Sequence, residues 1–282
     1  MGRLITASLP WLNVPRRYLV YLPTGWRSAA RWPAVFVFHG GGSDADGIRY
    51  QSRLEAVAEE NNFVAIFPDG FALSPTSQVR TWNALTCCGQ AQAAKVNDVR
   101  FTEFLVDETT RRFSLSRGRL YATGFSNGAM LVHLLGVRLP DTFAAIAPVS
   151  GDLGVLTLPH PSVPVPILYF AGENDEHIPY KGGIGPAARD RVKHNAVPEV
   201  VAWWVGANKA PDGPRTMRGQ GFIRSEYDPT SRGPSGAKVV LYSLLNGGHQ
   251  WPGGMPVPGL GQLVPQVDAS RLMWNFFRQY HR

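Results

Sequence analysis

The 282-residue chain has little sulfur, little lysine and no long apolar run: two cysteines, five lysines, and no stretch of about 18 apolar residues. The missing run excludes a membrane-spanning helix. Two thiols are too few for a structural zinc site. A chain of this length can bury about three quarters of its unfolded surface, so no disulfide framework is required. Charged residues make up only 17%, and basic ones never run longer than the pairs Arg16-Arg17 and Arg111-Arg112. Despite a net charge of +7, no nucleic-acid-binding stripe is present. Met1–Thr6 lacks the apolar region of an export signal. Glycine and proline are abundant: 30 Gly and 23 Pro, together about 19% of the chain. That is below the roughly 25–30% of low-complexity disorder. The expectation is one turn-rich globular domain over 1–282.

Short apolar runs alternate with helical patterns, the signature of an α/β chain with a mostly parallel sheet and helices on both faces. Strands are predicted at 18–22, 34–39, 63–67, 119–123, 145–149, 167–171 and 239–245, rich in Val, Ile, Leu and Phe without alternation, which suits strands covered on both faces. Apolar residues at i, i+3, i+4 spacing (Leu54, Val57, Ala58; Phe101, Phe104, Leu105) predict helices between them. Another starts at Ser126–Asn127 and stops at Pro140, and the last follows the N-cap Asp268. Glycine and proline concentrate in loops after predicted strand ends, where open α/β sheets bind ligands. The exception is 211–236, read as a Gly/Pro-rich insertion or loop.

Gly124-Phe125-Ser126-Asn127-Gly128 matches G-x-S-x-G. The bare pattern is weak, but an apolar strand leads into it and a helical pattern leaves it, the setting of a nucleophile elbow. Serine needs a positioned base. His249 qualifies, in a Gly-rich loop directly after the strand ending at Leu245; His39, His133, His160, His194 and His281 sit in less suitable places. The acid should lie between nucleophile and base in chain order. Asp175, a short turn past the strand at 167–171, fits best, with Glu173 and Glu176 as neighbours that could serve instead.

Donors for the oxyanion are expected from the Asn127 backbone amide and from Gly41 or Gly42, in the His39-Gly40-Gly41-Gly42 loop. No Gly-Lys-Ser/Thr follows that loop, so it is not a phosphate cradle. Trp82, Trp251 and Tyr180, the last beside Lys181, are candidate walls of the substrate pocket. Cys87 and Cys88 are neighbours, read either as two loop thiols or as a strained vicinal bridge shaping a loop. Neither metal nor organic cofactor is called for.

These motifs resemble the polyhydroxybutyrate depolymerase-like and feruloyl esterase branch of the α/β-hydrolases. The resemblance rests on His39-Gly40-Gly41, Pro68-Asp69-Gly70, Thr81-Trp82-Asn83 with Cys87-Cys88-Gly89, and the segment from Gly124 to Met130. It continues through Ala147-Pro148-Val149, Gly172 with Asp175, Pro179-Tyr180-Lys181-Gly182-Gly183, and Gly248-His249-Gln250-Trp251-Pro252-Gly253. It implies an α/β-hydrolase fold without a large lid domain, a Ser126–Asp175–His249 triad and a small or oligomeric ester as partner. The implied substrates are hydroxyalkanoate esters, with feruloyl or acetylxylan-type carbohydrate esters as the alternative. A third reading is a non-catalytic binding protein on the same fold. The family often carries a further cysteine after its Trp-bearing helix; here Trp203–Lys209 has none, so no bridge from Cys87-Cys88 to that region can form. Secretion is usual in the family, and this N-terminus does not signal it.

Overall fold

The computed structural model describes residues 2–11, 15–74, 77, 79–188, 190–230 and 235–282. In chain order the first strands are β1 (Arg3–Leu9), β2 (Arg16–Leu22), β3 (Trp32–Phe38) and β4 (Val64–Pro68), with helices α1 (Ala45–Ser52) and α2 (Leu54–Asn61) between β3 and β4. Then come α3 (Gly89–Ala93), α4 (Asp98–Phe113), β5 (Leu115–Phe125), α5 (Asn127–Arg138), β6 (Ala145–Val149) and β7 (Ile167–Gly172). The chain ends with α6 (Val197–Ala207), β8 (Asp212–Gly219), β9 (Phe222–Asp228), β10 (Val239–Leu244) and α7 (Ala269–Phe277).

All ten strands join one sheet in the order β1-β2-β4-β3-β5-β6-β7-β10-β9-β8. From β4 to β10 every neighbouring pair is parallel; β1-β2 and β9-β8 flank this block with antiparallel pairings. The parallel strands are buried from end to end in β4, β6, β7 and β10, as their unbroken apolar runs require. Leu105, Leu131 and Trp204 from α4, α5 and α6 pack on one face with Phe36 and Ile146. Ile48, Val57 and Met273 from α1, α2 and α7 pack on the other with Val37 and Phe170. Each such side chain, taken fully from water, contributes about 1.5–3 kcal/mol.

All seven predicted strands are present; β6 coincides with its prediction and the others differ by a few residues at their ends. The segment 211–236, read as an insertion or loop, is largely regular structure. It holds the β8–β9 hairpin, which extends the sheet beyond β10; residues 231–234 lie outside the described residues. Strand β8 is almost wholly exposed, so no buried apolar face marks it in the sequence. Arginines along this hairpin suit an edge that must not pair with another chain.

Candidate active site

Ser126 sits between the last residue of β5 and the first of α5 at φ 55°, ψ −121°, a backbone conformation that side-chain-bearing residues rarely adopt. The flanking glycines make this turn possible. A Cβ on Gly128 would lie 2.3 Å from the Phe38 carbonyl oxygen, and one on Gly124 would lie 2.6 Å from the Gly128 carbonyl oxygen. The turn is tied to the next strand by the Ser126 amide, which donates to the Val149 carbonyl at 3.0 Å.

Asp175 and His249 descend from adjacent parallel strands, β7 and β10, where Gly172 pairs with Leu244. His249 Nδ1 lies 2.7 Å from Asp175 Oδ2, and both side chains are buried. The other carboxylate oxygen accepts the His177 and Ile178 amides, each at 2.8 Å, which fixes its orientation. Glu173 and Glu176 point to solvent, which leaves the paired position to Asp175. His177, which sequence reasoning did not weigh, stacks on His249 with ring centroids 4.8 Å apart. Burial first, and then the adjacent His249, hold His177 below its usual pKa.

Ser126, Asn127, Gly41 and His249 line one cavity of about 750 Å³. As the first residue of α5, Asn127 has a backbone amide without an intrahelical acceptor. A Cβ on Gly41 would lie 3.6 Å from Asn127 Cβ, so the two loops run side by side. The Gly42 amide is committed elsewhere: it donates to the Arg80 carbonyl at 2.8 Å. That corrects the expectation for Gly42; no such bond engages the Gly41 amide among the described residues. The loop is braced by His39, whose Nδ1 donates to the Gly40 carbonyl at 2.7 Å while Nε2 accepts the Gly70 amide at 2.8 Å. Full burial lowers its pKa to about 4, so the ring is neutral, as these two bonds require.

The aromatic candidates do not build the cavity wall. Trp82 is fully buried against Phe38, His39 and Phe101, and its indole donates to the His39 carbonyl at 2.9 Å. Trp251 is also buried and donates to Ser270 Oγ at 3.1 Å. The Tyr180 hydroxyl is paired with Ser243 Oγ at 2.7 Å, and Lys181 is exposed. The expected aromatic pocket is therefore corrected: these rings position loops from below. The wall is made of Phe125, Met130, Ile178, Val257 and Leu260, with Tyr50 toward the opening.

Beneath the loop at Trp82 lies a buried ion pair, Arg16 to Asp98 at 2.5 Å, and the free oxygen of Asp98 accepts the Asn83 amide at 2.7 Å. Arg16 also lies over the Phe101 ring at 3.5 Å. Cys87 and Cys88 are bridged to each other, so the reading as two free thiols is corrected. With Asp190 they form the one group of potential metal ligands among the described residues. Sulfurs joined in a disulfide are not thiolates, so these residues do not fit a metal.

Among the described residues, no helix is long and apolar enough to cross a membrane. The sheet order, with Ser126 at the end of its central parallel block, defines an α/β-hydrolase fold. The acetyl xylan esterase from Aspergillus awamori has the same fold, with a TM-score of 0.66 at 15% identity, over 98% of this chain and 99% of that one. Residues 16–162 match the family described as "Esterase PHB depolymerase", and the chain belongs to that family. Ser126 lies inside the matched segment, whereas Asp175 and His249 lie beyond it. Feruloyl esterase B of Piromyces equi is 27% identical over 239 residues, covering 83% of this chain and 42% of that protein. The bifunctional acetylxylan esterase/xylanase XynS20E of Neocallimastix patriciarum is 26% identical over 162 residues, covering 57% and 22%. The chain thus spans less than half the length of either relative.

Proposed function

We propose that this protein is a serine carboxylic ester hydrolase, with residues 1–282 forming one catalytic domain. The observation that carries the reading is the buried Asp175–His249 pair opening into the same cavity as a serine held on a strained turn. His249 takes the proton of Ser126, whose Oγ attacks the ester carbonyl, and Asp175 stabilises the resulting imidazolium. The oxyanion is held by the Asn127 and Gly41 amides. His249 then protonates the leaving alcohol, and water activated by the same ring releases the acid.

For the substrate, we propose feruloyl- or acetyl-type esters ahead of hydroxyalkanoate oligomers. The names of the two curated relatives favour this order, and the family's description keeps the polyester reading second. A fluorophosphonate probe with mass-spectrometric mapping tests the nucleophile: a single adduct on Ser126, lost in Ser126→Ala, is expected. An active protein labelled elsewhere, or not at all, overturns the assignment. Turnover of methyl ferulate, p-nitrophenyl acetate and hydroxybutyrate dimer ranks the substrates.

A further inference from the structure

The cavity holds a second imidazole–carboxylate pair that the hydrolytic scheme leaves unused. His194 Nδ1 lies 2.8 Å from Asp152 Oδ1, and both side chains are almost wholly buried. The arrangement repeats that of Asp175 and His249. Asp152 follows β6 as Asp175 follows β7, each three residues past the strand. Its second oxygen is likewise fixed by a backbone amide, that of Asn195 at 2.8 Å. His194 lines the same cavity as Ser126 and His249.

The anchoring of this segment does not need the imidazole. Gly183 and His194 exchange two backbone hydrogen bonds, at 3.0 and 2.8 Å, and Asn195 Nδ2 donates to the Leu153 carbonyl at 2.8 Å. A buried ionic partner is in general weak as a stabiliser. In the tautomer that donates Nδ1–H to Asp152, Nε2 carries a lone pair, and no hydrogen bond to Nε2 is formed among the described residues. An acceptor left open on a cavity wall is suited to a substrate hydroxyl.

The side of the cavity follows from the chemistry. The leaving alcohol takes its proton from His249, whose own loop supplies Val257, Pro258 and Leu260 to one wall. His194 enters the cavity from a different segment, which also supplies Ile178, Ala188 and Asp190. Its partner Asp152 follows Gly151, which packs on the first turn of α5: an added Cβ there would lie 2.5 Å from the Ser126 carbonyl oxygen. We propose that His194, positioned by Asp152, is a specificity residue that accepts a hydrogen bond from a hydroxyl carried by the acyl group of the ester. The proposal rests on the ester-hydrolase reading for which part of the substrate lies there.

Binding to Ser126→Ala protein tests this without turnover. Calorimetry is run with two pairs of esters: methyl 4-hydroxycinnamate against methyl cinnamate, and methyl 3-hydroxybutyrate against methyl butyrate. In at least one pair the hydroxylated ester should bind about tenfold more tightly, the worth of one good hydrogen bond. The pair that responds identifies the hydroxyl as phenolic or aliphatic. Adding His194→Phe should bring that ratio to about one while the deoxy ester binds within about twofold, and His194→Gln should restore part of it. If His194→Phe does not fold beside an unpaired Asp152, the combination Asp152→Asn/His194→Phe keeps an acceptor for the Asn195 amide. Equal binding within both pairs, or a ratio that survives His194→Phe, overturns the proposal. Absence of ester turnover by the unaltered protein would count against the hydrolase reading and leave this ratio standing.

Discussion

The Asn127 carboxamide clamps Trp82 from both sides: its Oδ1 accepts the Trp82 amide at 2.7 Å and its Nδ2 donates to the Trp82 carbonyl at 2.9 Å. A residue expected to act through its backbone amide thus also ties the Ser126 turn to the loop at Trp82. Asn127→Ala keeps the amide and removes the clamp. It leaves the buried Trp82 amide unpaired, while the Trp82 carbonyl keeps the Cys88 amide at 3.0 Å, and should destabilise the fold by about 1–3 kcal/mol. The expected kinetic signature is a fall in kcat larger than any rise in KM, measured on p-nitrophenyl acetate, because the donor geometry loosens.

Asp175→Asn preserves shape but not charge. It should lower kcat by about 10³–10⁴-fold, because the imidazolium loses its counter-charge and the ring its fixed tautomer. Glu173→Gln and Glu176→Gln, both on exposed residues, should leave kcat within about twofold, a change too small for an acid partner. Steady-state kinetics on the three variants separates them.

Stability should fall on acidification through two histidines that are buried neutral. His39 and His133 are each lowered from 6.5 to about 4, chiefly by burial. Between those values the unfolded chain binds protons that the native state refuses. The stabilisation is therefore complete above pH 6.5 and is lost as the pH falls toward 4, by about 3 kcal/mol for each ring. Urea unfolding at pH 7.5 and pH 5 checks this. In His133→Gln the drop between the two pH values should be smaller than in the unaltered protein.

Trp251→Phe should separate support from binding. The indole N–H to Ser270 is lost, and Ser270 itself donates to the Ser52 carbonyl at 2.7 Å, so α7 and the end of α1 share the defect. A loss of about 1–2 kcal/mol in unfolding free energy is expected. KM for methyl ferulate should stay within about twofold, because the ring is not part of the cavity wall.

The parallel block was legible because burial on both faces leaves uninterrupted Val/Ile/Leu/Phe runs, and β6 was found residue for residue. Ser126 and His249 were readable for a related reason: each follows a strong strand and is surrounded by glycines that close backbone contacts demand. Asp175 was separable from Glu173 and Glu176 only by its place past the strand, and the structure distinguishes them by burial. The hairpin β8–β9 left no such trace, since its first strand is an exposed edge. The true cavity wall was also hidden, because residues from five separate stretches meet there, while Trp251 drew attention by following His249 directly in its loop. His194 reads in the sequence only as a less suitably placed histidine; its partner Asp152 is 42 residues earlier, too far for spacing to reveal.

The hydrogen-bonded pairing of β7 with β10 has a further consequence for how such a molecule can diversify. Asp175 and His249 hang from two neighbouring strands locked in register, and Ser126 hangs from β5 in the same block. Much of the cavity wall comes instead from chain segments outside the block, around Tyr50, Ile178, His194 and Val257. Those segments can change length and composition while Ser126, Asp175 and His249 keep their spacing. One scaffold can then be refitted for a succession of esters, much as a lathe keeps its spindle while the tooling is exchanged.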